Sequence, residues 1–158
     1  MTLTRIHMFA WASTALAAAF MLELSGVLRF GAAGIFAPLV LILLVGFFGV
    51  RWFAGFLAFF LVLLSFLAAP FWILEVGGVA LTSLLLLIAA PFLTGNRFMD
   101  FLILLAAGTA TIAIGGAWIH GGVSLGAVFF TLLLNLGVGA AAFALINRYA
   151  PAAHPFAL

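Results

Sequence analysis

The chain contains no cysteine and no lysine, and its charged side chains amount to five arginines and three acids in 158 residues. Without cysteine, disulfides and thiolate metal sites are excluded, and the redox compartment leaves no trace in the sequence. Charged residues make up 5%, against about 25% in an ordinary globular protein, so a soluble fold would lack the polar surface it needs. Disorder is excluded from the other direction: a disordered chain is poor in apolar residues, and this one is 69% hydrophobic. Five scattered arginines and a net charge of +2 do not build the clustered basic face of a nucleic-acid-binding protein. The polar/apolar alternation of a transmembrane β-barrel is also missing, as in the run Leu84-Leu85-Leu86-Leu87-Ile88.

What is present is a series of long apolar stretches, and lipid is the solvent that suits them. A helix needs about 20 apolar residues to cross about 30 Å of hydrocarbon. The sequence predicts an all-α integral membrane protein, a six-helix transmembrane bundle forming one domain over residues 1–158 with no soluble domain. The spans fall at about 8–28, 35–50, 52–69, 71–93, 98–119 and 123–146, separated by Ser25-Gly26, Gly31 to Gly34, Gly49 to Arg51, Ala69-Pro70, Thr94 to Arg97 and His120 to Gly122. Pro70 suits a first helical turn and Pro91 ends or kinks the fourth span. The second and third spans are short, so they form either a tight helical hairpin or include an incomplete, re-entrant helix. Two full crossings are preferred, because they leave Arg51 at an interface.

With a cytoplasmic N-terminus, Arg5, Arg51, Arg97 and Arg148 lie inside and only Arg29 outside, the bias of the positive-inside rule. Both termini are then cytoplasmic. Arg5 followed by an apolar stretch and the small residues Ala15 to Ala19 also resembles a secretory signal, but the segment is read as the first span.

Polar side chains in or near the spans are the candidate sites. Glu23, Arg29 and Glu75 fall on the outer side, as an interfacial ion pair or as an outer polar site for a cationic solute or a proton-linked step. Arg97 and Asp100 share a helix face at a spacing that suits an ion pair, with Asp100 placed to meet the helix dipole; the pair also suits cytoplasmic docking. Asn135, in mid-span, is expected to point inward and hydrogen-bond another helix, with a substrate contact as the alternative. Ser65, Thr82, Ser83, Thr109, Thr111 and Thr131 can bond to carbonyls of their own helices. Ala12, Ala15 and Ala19 in the first span, and Gly137, Gly139 and Ala140 to Ala142 in the last, form small faces for internal packing or for a partner helix.

His7, His120 and His154 are predicted at ends or loops, without metal-site spacing. There is no nucleophile elbow, phosphate loop or zinc-protease motif. No cofactor and no enzymatic activity are expected.

Three stretches resemble the MreD family of bacterial rod-shape-determining proteins: Pro38 to Leu44, like its proline-led second span; Gly55 to Leu64, like its glycine-led third span; and Leu133 to Arg148, like its closing helix and basic end. The likeness covers about residues 35–148. Leu39 stands where the family often has an acid, and the acid often late in its third span is missing, with Ser65 the polar residue there. The resemblance implies a multi-pass protein of the bacterial inner membrane, a scaffold of the cell-wall elongation and peptidoglycan-synthesis machinery. Its partners would be membrane lipids and MreC-like, RodA-like and MreB-like proteins.

In architecture alone the chain is also similar to the substrate-binding S component of an energy-coupling-factor transporter. In that reading Ala12, Ala15 and Ala19 dock on the transport module, and Glu23, Arg29, Glu75 or Trp118 line an enclosed outer cavity. A scaffold instead predicts a filled core and an exterior groove.

Overall fold

A computed structural model describes residues 3–30, 33–48, 51–68, 73–89, 92–119, 122 and 124–149. Six helices are seen among them: α1 (Leu3–Leu24), α2 (Ala37–Phe48), α3 (Arg51–Ala68), α4 (Ile73–Ala89), α5 (Arg97–Ile119) and α6 (Leu125–Tyr149). Between α1 and α2, strands β1 (Arg29–Phe30) and β2 (Ala33–Gly34) pair antiparallel, Arg29 opposite Gly34 and Phe30 opposite Ala33.

The helix ends follow local chemistry. α1 stops earlier than the apolar pattern suggests, because Gly26 adopts a left-handed conformation (φ 74°). Around it, Ser25 N–H bonds to the Met21 carbonyl at 2.9 Å and Gly26 N–H to that of Glu23 at 3.1 Å, closing the helix as a C-terminal glycine does. α5 starts at an Asn96 cap: the Asn96 Oδ1 accepts from the N–H groups of Phe98 (3.1 Å) and Met99 (3.3 Å). α2 covers 12 residues, against 35–50 expected. At 1.5 Å per residue it is about 18 Å long.

α2 is the centre of the molecule. It touches α1, α3, α4, α5 and α6, and Leu39, Ile42 and Leu43 are fully buried. Around them gather Leu16 and Phe20 of α1, Leu57 and Leu61 of α3, Val76 and Val79 of α4, Phe101 and Leu105 of α5, and Phe143 of α6. Two glycines permit close approaches around α2. A Cβ on Gly46 would overlap Leu87 of α4, and one on Gly108 would meet Leu86 at 2.8 Å and Leu39 at 3.2 Å.

α5 and α6 pack antiparallel in regular layers. The Phe101 and Phe143 rings lie 5.1 Å apart, and Leu105 sits against Gly139, where a Cβ would overlap its Cδ2. Continuing that register by one turn brings Thr109 to the level of Asn135, both with no exposed surface. α2 runs alongside the C-terminal half of α6: Phe36, just before α2, bonds to Asn135, and the Phe48 ring at its far end lies 4.6 Å from that of Phe143.

α5 over Arg97–Gly116 and α6 over Leu125–Arg148 are long and apolar enough to cross a membrane. The apolar parts of the other four are shorter: Ala10–Leu24, Ala37–Phe48, Phe53–Leu67 and Val76–Ala89.

Candidate functional sites: a buried polar latch and an exterior groove

Asn135 is fully buried near the middle of α6. Its Oδ1 accepts from Phe36 N–H at 2.8 Å, and its Nδ2 donates to the carbonyls of Gly34 (2.9 Å) and Thr131 (2.8 Å). One turn earlier, the Thr131 Oγ1 accepts from Gly34 N–H at 3.3 Å. The amide is thus used on both its oxygen and its nitrogen. It fastens the segment entering α2 to α6 by backbone groups that no helix ladder satisfies. The sequence pointed to an inward amide bonded to another helix; its partner across the bundle is the backbone of β2 and the residue preceding α2.

The other hydroxyls divide. Ser65, Ser83 and Thr111 donate to the carbonyls of Val62 (2.8 Å), Val79 (2.7 Å) and Ala107 (2.8 Å) in their own helices. Thr131 serves the latch. The Thr109 Oγ1 is buried and has no hydrogen-bond partner among the described residues.

Asp100, buried in the first turn of α5, turns back over the connection from α4. One carboxylate oxygen accepts from Thr94 N–H (3.0 Å) and Thr94 Oγ1 (2.6 Å), the other from Gly95 N–H (3.1 Å). Gly95 holds a left-handed φ of 81°, which the tight bend requires. Arg97 is exposed at the first residue of α5, and Arg148 is exposed in the last turn of α6, where a cation complements the helix dipole.

Glu23 is half-buried in the last turn of α1. The side chains of Arg5, His7, Arg29, Arg51, Glu75 and Trp118 lie outside the described residues, as do His120 and His154. Of the proposed outer polar site, only Glu23 is therefore placed. Among the described residues, no group of three or more His, Cys, Asp or Glu could hold a metal ion.

The small residues also separate. Ala19 is buried, Ala12 half-buried and Ala15 exposed, so the first-span set sits at the edge between the packed and the outer side of α1. Gly139 makes the close helix contact, whereas Gly137 is exposed with open space where a Cβ would point. Gly137 instead lies in a shallow apolar groove of about 540 Å³ between α5 and α6, with Leu102, Ile103, Ala106, Leu133, Leu136 and Ala140. The groove was not legible in the sequence, because it needs the register of two antiparallel helices. The small residues that line it were the available signal.

Comparison of the chain with protein-family models, with curated proteins and with solved structures finds no match.

Proposed function

We propose that the chain is a multi-pass protein of the bacterial inner membrane, a bundle crossing the bilayer with both termini in the cytoplasm, and that it acts as a non-enzymatic scaffold of the MreD kind. Membrane residence is supported by an inverted distribution of polarity. Phe59, Phe66, Leu67, Leu85, Ile88, Phe129 and Leu145 are exposed, while Ser65, Ser83, Thr109, Thr131 and Asn135 are buried. Water would oppose the first set, and lipid does not. The second set suits a protein whose polar groups must find partners inside the bundle.

The observation that carries the scaffold reading is the groove between α5 and α6. Among the residues lining it, Ala106, Gly137 and Ala140 are small enough to let another backbone come close, and Leu102, Ile103, Leu133 and Leu136 supply apolar contact. In lipid, helices associate through close packing on small residues. The occupant we assign is a transmembrane helix of an MreC-like protein, with RodA-like and MreB-like proteins as further members of the assembly.

Gly137→Leu fills the groove without touching the bundle interior, since nothing lies within 4 Å of the position. Affinity purification of the full chain from native membranes should recover elongation proteins, and this variant should lose them while keeping its helical content. Recovery of a pair of ATPases and their membrane coupler instead would overturn the scaffold in favour of the S-component reading. That second reading draws on the outward face of α1, where Ala15 and Ala18 are exposed beside Trp11.

A further inference from the structure

We infer that α2 crosses only the half of the bilayer nearer the C-terminal end of α6, and that residues 25–30 and 33–36 enter the other half as a non-helical strap ending at mid-depth. This inference rests on the membrane reading above. α6 is the ruler. Asn135 lies ten residues after Leu125 and fourteen before Tyr149, about 15 and 21 Å along the axis, which puts it near the middle of about 30 Å of hydrocarbon. Because Asn135 holds both Gly34 and Phe36, α2 begins at that level. The contact of Leu39 with the Gly108 position says the same from α5, since Gly108 is eleven residues into that helix. From there, 12 residues reach about 18 Å, and Phe48 meets Phe143 towards the end of α6.

Non-helical backbone at membrane depth is tolerated where it is buried in protein or borders water. Here the strap has both internal and external support. β1 pairs with β2, and Ile35 N–H bonds to the Leu28 carbonyl at 3.0 Å. Thr131 and Asn135 take the groups of Gly34 and Phe36 that pairing leaves over. The strap's end and the buried hydroxyls of Thr109 and Thr131 thus share the layer of Asn135, a polar centre inside an apolar bundle.

The absence of cysteine makes the test direct. Ala37→Cys, Leu41→Cys and Val45→Cys lie on one half-buried stripe of α2, and Leu133→Cys and Leu145→Cys on the exposed face of α6. Each full-length variant is reconstituted in phosphatidylcholine vesicles and carries a nitroxide label. Its depth is read from relaxation by oxygen against a water-soluble nickel chelate. The half-crossing requires depth to fall steadily from position 37 to 45, with 37 as deep as 133. A full crossing requires 41 and 45 to be equally deep and 37 shallower, which would overturn the inference. If the label at 37 prevents folding, 41 and 45 still decide, because the half-crossing separates them by about 6 Å. If 133 and 145 show no difference, it is the membrane reading that fails.

Discussion

Replacing Asn135 by alanine strips Phe36 N–H and the Gly34 carbonyl of their partner while leaving both groups inside the bundle. A buried backbone group left unsatisfied costs about 1–3 kcal/mol, and water must cross the surrounding apolar packing to replace the amide. Asn135→Ala should therefore lower stability in detergent by about 1–3 kcal/mol, measured as the shift in a reversible denaturation curve. A loss no larger than that of Leu133→Ala, an exposed neighbour, would contradict the latch. Gly137 and Gly139 of α6 give a paired comparison. Gly139→Ala forces Leu105 away from a position flanked by the Phe101 ring at 3.3 Å and should cost about 1–3 kcal/mol by overpacking. Gly137→Ala meets nothing and should be neutral within about 0.5 kcal/mol. At this scale the sequence marked Asn135 as an inward amide, because an amide facing lipid is expensive. It did not reveal the partner, which is backbone about a hundred residues away.

The start of α5 is organised by two side chains with different tasks. Asn96 caps the first N–H groups, and Asp100 reaches back to hold the turn at Thr94 and Gly95. Asp100→Asn keeps only one acceptor oxygen for donors that now use two, so it should destabilise by about 1–2 kcal/mol. Hydrogen exchange should locate the loosening at residues 94–100 and leave α6 unaffected. Protection lost evenly along α5 would show that Asp100 supports more than the turn. Among the elements, α5 and α6 were the easiest to read: 98–119 and 123–146 were expected, and Arg97–Ile119 and Leu125–Tyr149 are found. Their long apolar runs end at Gly, Asn and Ser signals that act locally. α2 starts at Ala37 rather than at 35, and β1 and β2 were read only as a turn region. Two-residue strands carry no periodicity, and the reason they form lies in α6.

For the whole molecule, hydropathy announced the apolar exterior, but it could not say how the helices face one another. That arrangement now fixes relative sidedness. Since Phe101 near the start of α5 meets Phe143 near the end of α6, the connection around Ser124 must lie at the opposite end of the pair. On the proposed topology, the positive-inside bias puts the end carrying Arg97 and Arg148 in the cytoplasm. Reporters should leave those arginines in place, because removing one weakens the charge bias being tested. Thr4→Cys and Asn147→Cys should react with a membrane-impermeant maleimide only after the cytoplasmic face is opened, whereas Ser124→Cys should react in sealed spheroplasts. If Thr4 and Asn147 react from opposite sides, the number of crossings is odd and the six-crossing layout fails. If all three react together in sealed spheroplasts, the bundle is not inserted across the bilayer. Because α5 and α6 pack as one antiparallel pair, the contrast between Asn147 and Ser124 tests insertion of that pair, and Thr4 alone tests the path of the remaining four helices.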